Sequence, residues 1–567
     1  MTAPLDTDII IVGGGPVGLT AAMDLNSRGV RSLVIESRRY LEAPNVKCNH
    51  VASRTMERLR RLGVADQVRA AGLPSDYPQD IAFRTTMTGI EFGRIPIPST
   101  ARRRSDPVGP DADWATPEPP HRVNQKYLEP VLMAHAAGLP LVTLLNETRY
   151  LDFEQDEHGV SARIVDRDGV ERTVRGRFLI GADGGRSAVR KKIGATFRGD
   201  PVLQRVQSTC IRASGLYELM PGERAWGYYI FNPRRNGHVY AIDGKGTFLV
   251  HNYLTPEEDD GSGVDRDAAI RTILGVDSSF DYDVVSKEDW IARRLVADRL
   301  RDRRAFIAGD AAHLWVPYAG YGMNAGIADV LNLTWVLSAY IAGWGDEGIL
   351  DAYEAERLPI TDQVSRFAMA HQRKIAQSDV PLEIEDTTVA GQVARRRLGE
   401  QAYALNVQQF AAAGLNYGYS YSRSPIIAYD GESAPAYTMG SYTPSTVPGC
   451  RAPHFWLADG TSLYDELGKG YTVLSLGDPA ELRGLLDAAD AVGVPLKVID
   501  IDRALAPATY RHNYLIVRDD QHVAWRGDTA PKDPGALLDR LRGRLPAPVS
   551  GEPGDIVAVD AVAAGTA

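Results

Sequence analysis

The stretch from residue 8 to residue 36 constrains the fold more than any other part of the sequence. It opens with an apolar run rich in β-branched residues, Ile9 to Val12, which is typical of a buried parallel strand. A GxGxxG sequence follows at once, and then a helix is predicted from Leu19 to Arg28 and a second strand from Ser32 to Ile35. Strand, glycine-rich turn, helix and strand in this order predict the first βαβ unit of a Rossmann-like sheet.

The glycines of this turn and the acid after the second strand predict a dinucleotide site. Gly13 permits the tight turn, Gly15 lets the backbone approach a pyrophosphate, and Gly18 lets the helix pack closely on the strand. The amino end of the helix offers N–H groups and a partial positive charge to phosphates. Glu36 can accept hydrogen bonds from a ribose. A glycine-rich turn without a ligand is the alternative, but the acid in register with both strands favours nucleotide binding.

Length and charge narrow the function classes. A chain of 567 residues predicts about three domains. The formal net charge is -10 without a long basic run, so nucleic acid is not expected as a partner. The longest apolar stretch, 327–341, is too short for a membrane span, and the first residues do not resemble a signal peptide. Three isolated cysteines form no Cys/His cluster, which predicts no metal site and a reducing, cytoplasmic location.

A second signature lies near residue 310. A buried strand beginning at Ala305 ends on Asp310, and a glycine-rich sequence at 317–326 leads into an apolar helix predicted at 327–341. A helix that is apolar on all sides is buried, so its glycine-rich amino end is expected to face the interior of the protein. His313 follows the acid closely and is interpreted as structural.

The middle and the end of the chain predict two further units. Strands at 226–231, 238–243 and 247–252 carry many aromatic residues, which suits a sheet lining a pocket for a flat apolar ligand, although core packing would also explain them. Residues 99–120 form a loop rich in Pro, Asp and Arg, interpreted as either a lid or a passive surface loop. From Pro448 the pattern changes to a small α/β module.

Three ordered segments resemble a known family: GGGPVG at 13–18, GADGGRSAVR at 181–190, and GDAAH with PYAGYGMNAGIADVLNL at 309–333. With them the chain resembles the group A flavin-dependent aromatic hydroxylases, in particular the phenol, dichlorophenol and hydroxyphenylpropionate hydroxylase branch. The implied fold class is α/β, with a Rossmann-like FAD-binding domain of the glutathione-reductase type, an inserted β-sheet substrate domain and a C-terminal thioredoxin-like domain. The last domain has no CxxC sequence, so the resemblance implies a homodimer contact or scaffolding rather than redox activity.

The resemblance and the changes of pattern together predict the domain limits. The FAD-binding and substrate domains alternate along the chain, and the C-terminal domain follows a linker. The limits are 1–75, 105–195 and 290–400 for the FAD-binding domain, 76–104 and 196–289 for the substrate-binding sheet, 401–445 for the linker, 446–545 for the thioredoxin-like domain and 546–567 for a disordered tail.

Carried over position by position, the resemblance implies an FAD site. Glu36 would bind the adenosine ribose, and Asp310 and Gln125 would bind the ribityl chain. The N–H groups of 322–324 would face the flavin N1 and C2 oxygen, where a helix amino end stabilises the negative charge of reduced flavin. The implied cofactor-binding residues are Gly13, Gly15, Pro16, Gly18, Glu36, Lys47, Gln125, Asp183, Gly184, Asp310, Pro317, Gly322, Met323 and Asn324. One departure from the family is Ser37, where Arg or Lys often follows the ribose acid.

The resemblance also implies a reaction. FAD would be reduced by NAD(P)H, react with O2 to give a C4a-hydroperoxyflavin, and hydroxylate a small phenolic or other aromatic substrate. No second GxGxxG sequence is present, so NAD(P)H is expected to dock transiently. The predicted catalytic residues are His50, as acceptor of the phenolic proton, Arg234 and Tyr240, and the predicted substrate-binding residues are Asn49, His238 and Pro317. Two alternatives stay open: a Baeyer-Villiger or epoxidising monooxygenase acting on a polyketide-like substrate, and a non-catalytic flavin-binding scaffold.

Overall fold

The computed structural model describes residues 6–47, 49–258, 263–315, 320–376 and 379–544. The tail predicted to be disordered, 546–567, lies outside the described residues.

The strands are β1 (Ile9–Val12), β2 (Ser32–Ile35), β3 (Ile81–Arg84), β4 (Glu91–Ile95), β5 (Val142–Leu145), β6 (Arg149–Gln155), β7 (Val160–Val165), β8 (Glu171–Gly176), β9 (Phe178–Gly181), β10 (Phe197–Arg212), β11 (Gly227–Ile230), β12 (Gly237–Ala241), β13 (Thr247–Tyr253), β14 (Asp283–Ala297), β15 (Arg301–Asp302), β16 (Ala305–Ile307), β17 (His313–Leu314), β18 (Tyr471–Ser475), β19 (Leu496–Asp500), β20 (Tyr514–Arg518) and β21 (Val523–Gly527). The α-helices are α1 (Pro16–Ser27), α2 (Ser53–Arg61), α3 (Ala65–Ala70), α4 (Gln125–Ala137), α5 (Ala188–Lys192), α6 (Leu216–Leu219), α7 (Arg266–Leu274), α8 (Tyr321–Ile341), α9 (Ala352–Ala376), α10 (Val389–Phe410), α11 (Ala413–Tyr417), α12 (Leu463–Glu466), α13 (Arg483–Val492) and α14 (Pro534–Leu541).

The first sheet builds the nucleotide-binding part of the molecule. Its strand order is β15-β16-β9-β1-β2-β5, and β1 pairs in parallel with both β2 and β9. Strands β1, β2 and β9 are buried along their whole length, as their apolar sequences predict. Helices α1 and α8 contribute to the same hydrophobic core. The predicted Rossmann-like α/β unit is therefore confirmed.

Two glycines hold the first turn against its neighbours. Gly13 has a φ of +107°, and a Cβ at this position would lie 2.3 Å from the Ala182 carbonyl oxygen. A Cβ at Gly18 would lie 2.0 Å from the Gly13 carbonyl oxygen. Both positions require glycine, one for the tight turn and one for close packing of helix on strand. The end of β1 thus lies directly beside the loop that follows β9.

The second sheet has eight strands in the order β17-β14-β10-β13-β12-β11-β3-β4. Its pairs are antiparallel except for β3 with β11, which is parallel. Strand β14 crosses the predicted domain limit between 289 and 290 and pairs with β17, close behind the end of β16. A continuous strand therefore connects the two sheets, and the domain limits themselves stay a prediction.

One face of the second sheet is aromatic because of its register. Tyr229 lies opposite His238, and His238 lies opposite His251. Side chains alternate between the two faces along a strand, so residues two apart share a face. We call this surface the aromatic face; its members are Tyr229, His238, Tyr240, His251, Tyr253 and Trp290. Most of these side chains are only half-buried, whereas Val239 and Val250 on the other face are buried against α7.

Helix α10 is the largest element that the sequence pattern did not predict. It begins inside the predicted FAD-binding domain and ends inside the predicted linker. Few of its apolar residues are buried, so its helical periodicity is weak. Its last residue, Phe410, packs against Trp226 and Tyr229 of the second sheet. Tertiary packing therefore stabilises this helix more than its own pattern does.

The C-terminal module is a four-stranded sheet in the order β19-β18-β20-β21, with β18 parallel to β19 and antiparallel to β20. One side of this sheet, with α13 and α14, joins the core of the first sheet, and a separate hydrophobic cluster covers the other side. The turn from Asp519 to His522 is buried. No helix in the described part of the chain is long and apolar enough to cross a membrane.

Candidate active site

The amino end of α1 borders open space. The helix begins at Pro16, three residues earlier than predicted, directly after Gly15. Proline fits the first helical position because it lacks the N–H group that would be unpaired there. A Cβ at Gly15 would meet no atom within 4 Å. Free N–H groups of the first turn therefore face a space that suits a phosphate group.

Glu36 follows β2 and is held in place before any ligand binds. Its Oε2 accepts a hydrogen bond of 2.8 Å from the Gly14 backbone N–H. The Arg38 side chain forms ion pairs of 3.2 Å with Glu36 and 2.7 Å with Glu129. Burial opposes ionisation of Glu36, but the hydrogen bonds from Arg38 outweigh it and lower the pKa of the carboxyl group. The basic partner absent at Ser37 is thus supplied one residue later, a position that sequence analysis missed.

Asp310 lies just beyond the buried strand β16 and is exposed to solvent. Among the described residues its carboxylate makes no hydrogen bond or ion pair. Lys47 is also exposed, and its Nζ lies 3.1 Å from Oε1 of Glu288 on the second sheet. An acid without a partner, beside the amino end of a buried helix, is available to a ligand with hydroxyl groups such as a ribityl chain.

Helix α8 begins at Tyr321, six residues earlier than predicted, after Gly320 in the left-handed conformation. Gly322, Met323 and Asn324 therefore form its first turn, where backbone N–H groups have no partner within the helix. The Asn324 side chain accepts a hydrogen bond of 2.8 Å from the Ala52 N–H and donates one of 3.1 Å to the His50 carbonyl. This amide therefore holds the His50 segment against the amino end of α8.

The other implied cofactor residues make local contacts. Asp183 caps α5 by accepting hydrogen bonds from the Ser187 hydroxyl at 2.5 Å and the Ala188 N–H at 2.7 Å. Gly184 has a φ of +77°, and a Cβ there would meet no atom within 4 Å. Gln125 begins α4 and donates a hydrogen bond to Glu129. These residues surround the same edge of the first sheet, but their contacts with FAD stay a prediction.

The aromatic face carries a connected group of polar ring atoms. His238 stacks on Tyr229 with 3.6 Å between ring centroids. Its Nδ1 lies 2.9 Å from the Tyr253 hydroxyl and 3.3 Å from the Tyr240 hydroxyl. Burial, and to a smaller extent His251, lower the pKa of His238 well below its ordinary value. Burial raises the pKa of Tyr240 to about 12, so Tyr240 stays protonated and acts as a hydrogen-bond donor at neutral pH.

His50 is 9% exposed, and its carbonyl oxygen accepts a hydrogen bond from Asn324 of α8. Burial lowers its pKa well below the ordinary value, and the nearby charges of Arg122 and Arg103 lower it further. His50 is therefore neutral at pH 7 and able to accept a proton. Its neighbour Asn49 accepts a hydrogen bond from Asn124 at the start of α4. Arg122, whose guanidinium lies 4.2 Å above the Trp226 ring, is a site residue that sequence analysis missed.

One predicted residue is not brought to this group, and a second lies outside the described residues. Arg234 lies on the turn between β11 and β12, with its side chain 59% exposed and paired with Glu385 at 2.8 Å. The turn geometry directs it to solvent, so nothing in the structure supports a catalytic role. Pro317, predicted to contact substrate and cofactor, lies outside the described residues. His313 is buried and bonded to Asp329 at 2.7 Å, which agrees with its structural interpretation.

Comparison with known proteins identifies the family. Residues 6–368 match the family model described as FAD binding domain, and residues 445–548 match the aromatic-ring hydroxylase C-terminal domain. The chain belongs to the FAD-dependent aromatic-ring hydroxylases. It is 31% identical to a 2,4-dichlorophenol 6-monooxygenase of Cupriavidus pinatubonensis, over 96% of this chain and 97% of the relative. It is 29% identical to a phenol 2-monooxygenase of a Pseudomonas strain, over 96% and 93%.

Relatives whose names mention other substrates match this chain at similar identity. The chain is 30% identical to a tetracenomycin A2 monooxygenase-dioxygenase of Streptomyces glaucescens, over 97% of this chain and 98% of the relative. The solved structure of RebC with bound 7-carboxy-K252c superposes with a TM-score of 0.87 at 32% identity, over 96% of this chain and 100% of that one. Family membership makes this protein an FAD-dependent monooxygenase that acts on aromatic substrates.

Proposed function

We propose that the protein hydroxylates a phenolic ring with O2 and NAD(P)H. One observation carries this proposal: neutral His50 is held at the amino end of α8, and the charge of Arg122 acts both on His50 and on Tyr240 of the aromatic face. When bound, FAD supplies the activation of oxygen and its transfer to the ring. The protein residues bind the cofactor, orient the ring and accept a proton.

The cofactor would be held by the amino ends of α1 and α8 and by acidic side chains near them. Free N–H groups of α1 would bind its phosphates, and Glu36 would accept hydrogen bonds from the adenosine ribose. Asp310 would bind the ribityl hydroxyl groups. The first turn of α8 would stabilise negative charge on the reduced ring by about 0.3 to 2 kcal/mol.

His50 is proposed as the acceptor of the phenolic proton. A phenol has a pKa of about 10, so removal of its proton at neutral pH needs a base or a hydrogen-bond chain. His50 is neutral, so its ring can accept a hydrogen bond from the phenolic hydroxyl, although its lowered pKa makes it a weaker base than a free imidazole; Asn324 fixes its backbone. Tyr240 would instead donate a hydrogen bond to the substrate or to His238, since its own proton is held firmly.

The experiment is a screen of phenols for stimulated consumption of NAD(P)H, with product analysis by mass spectrometry and NMR. The His50→Gln variant should retain FAD but lose about 10²- to 10⁴-fold in hydroxylation rate. The matched control is His158→Gln, since His158 lies on the exposed turn between β6 and β7. Unchanged turnover of His50→Gln at every pH would exclude this residue from the reaction.

A polyketide-like substrate is the second candidate. Two observations favour it: the similarity to a tetracenomycin monooxygenase-dioxygenase, and an aromatic face with members on four strands, from β11 to β14. A lactone or epoxide product in place of a hydroxylated one would support this alternative. A flavin-binding scaffold is the third, and substrate-stimulated NAD(P)H consumption would contradict it. The choice of NADH or NADPH, the homodimer and the cytoplasmic location remain predictions.

A further inference from the structure

Arg122 is a buried cation with two donor atoms that have no hydrogen-bond partner in the described part of the chain. Only 2% of the residue is exposed, and its Nε and Nη2 atoms are buried with no partner among the described residues. Its guanidinium stacks on Trp226 at 4.2 Å and lies 5.6 Å from the Phe410 ring. Most buried polar groups in proteins are hydrogen-bonded, so two unpaired donors on one edge of a guanidinium require an explanation.

The local backbone directs Arg122 toward the aromatic face. Val51 and His121 form an isolated antiparallel bridge. Neighbouring residues point to opposite sides of such a bridge, so His50 and Arg122 point to the same side. His121 points to the other side, where its Nε2 lies 3.3 Å from the Ala71 carbonyl oxygen. The stacking of Arg122 on Trp226, at the start of the sheet, agrees with this direction.

The charges around Arg122 do not balance. Arg103, a second cation whose charge acts on Arg122, already forms an ion pair of 2.9 Å with Asp111 and a hydrogen bond of 3.2 Å with Gln79. His50 and His121 are neutral at pH 7, because burial lowers the pKa of both, that of His121 to about 4. Burial also lowers the pKa of Arg122, but only to about 10, so it stays charged. Among the described residues Arg122 therefore forms no ion pair of its own, and Asp111, whose charge acts on it, is already paired with Arg103.

We propose that Arg122 binds a carboxylate carried by the aromatic substrate. The proposal rests on the proposed hydroxylase function and names the substrate class. Nε and Nη2 are adjacent donors in one plane, which matches the two oxygens of a carboxylate. The Trp226 ring fixes that plane and offers a flat surface to the substrate. A carboxylate here would place the attached ring between His50 and the aromatic face.

The test compares matched ligand pairs on the FAD-loaded enzyme. The pairs are 4-hydroxybenzoate with phenol and 3-hydroxy-2-naphthoate with 2-naphthol, and binding is followed by the change in flavin absorbance. In the wild type, where the ring of a pair is small enough to enter the site, the Kd of the acid should be at least about tenfold lower than that of its neutral partner. Arg122→Met should remove this preference, so that the acid and the neutral ligand of a pair bind equally, and Arg122→Lys should retain part of it. Arg224→Met is the matched control, because Arg224 also stacks on a ring, Tyr217, but is exposed.

Several outcomes would contradict the proposal: equal binding of acid and neutral ligand by the wild type, failure of every acid to bind, or an unchanged preference in Arg122→Met. FAD content of each variant shows whether it is folded. NAD(P)H consumption separates this proposal from the proposed function. Acids that bind through Arg122 but never stimulate consumption would contradict hydroxylation alone, whereas stimulated consumption by neutral phenols without any preference for acids would contradict the carboxylate site alone.

Discussion

Two buried groups of arginine side chains differ in how their charge is neutralised. At the turn between β20 and β21, the Asp519 carboxylate is paired with Arg28, with Arg58 at 3.0 Å and with Arg61 at 2.7 Å. Near the aromatic face, Arg122 has no such partner among the residues that the structure describes. Removal of a charge from water costs several kcal/mol unless a partner compensates it. The first group is thus satisfied by the chain itself, whereas the second needs a partner from outside.

The position of each group agrees with this difference. Asp519 belongs to the C-terminal module, and its arginine partners belong to α2 or follow α1, so the ion pairs join the module to the FAD-binding part. Burial would raise the pKa of Asp519, but Arg61, Arg28 and Arg58 outweigh it and hold the pKa far below its ordinary value. Arg122 lies instead against the rings of Trp226 and Phe410, beside the second sheet. The ion pairs of Asp519 therefore have a structural role, whereas the unpaired charge of Arg122 is the feature from which we infer a ligand.

The largest effect is expected from Asp519→Ala. It leaves three arginine side chains without their shared counterion, so the free energy of unfolding should fall by about 3–5 kcal/mol. Urea denaturation with linear extrapolation measures the change. The control, Asp168→Ala, removes an acid that is 76% exposed and pairs only with its neighbour Arg167, and should change stability by less than about 0.5 kcal/mol. A loss at Asp519 no larger than that of the control would contradict the structural role.

Acid should weaken the same turn through Asp520. Burial opposes ionisation, but Arg518, His522 and Arg54 lower the pKa of Asp520 to about 2. The unfolded chain, with a pKa of about 3.9, binds this proton first as pH falls. The stabilisation is therefore complete above about pH 5; about 2.6 kcal/mol is lost in total, most of it by pH 2 and the rest below that value. Urea unfolding between pH 5 and pH 3 should show a smaller loss in Asp520→Asn than in the wild type; equal losses would contradict it.

Local sequence chemistry predicted one side of the candidate site. The turn that needs Gly13, the acid Glu36 at the end of β2 and the exposed Asp310 after β16 are all set by residues adjacent along the chain. Each can be predicted from sequence because a glycine or an acid at the end of a buried strand occupies a fixed position relative to that strand. The early start of α8 at Tyr321 was missed because glycines precede its apolar run and carry no helical pattern.

The residues that sequence analysis missed depend on long-range contacts. Arg122 becomes a site residue only because the bridge between Val51 and its neighbour His121 aims it at Trp226, more than one hundred positions later. The docking of Asp519 on Arg58 joins positions that are 461 residues apart. An arginine in a sequence is normally a solvated surface residue, so neither group had a local signal. Arg234 was predicted to be catalytic because the sequence does not distinguish an exposed arginine in a surface ion pair from a buried one.

The smallest effect on stability, and the sharpest test of the comparison, is expected from Arg122→Met. Methionine keeps the apolar contact with Trp226 and removes an uncompensated charge, while the stacking of a cation on that ring is lost. These terms nearly cancel, so the free energy of unfolding should stay within about 1 kcal/mol of the wild type. Arg58→Met, the matched variant in the neutralised group, should lose about 1–3 kcal/mol because Asp519 loses one of its partners. Urea unfolding of both variants without ligand decides the matter: an equal loss in the two would mean that Arg122 has a counterion within the chain, and the distinction between the two groups would fail.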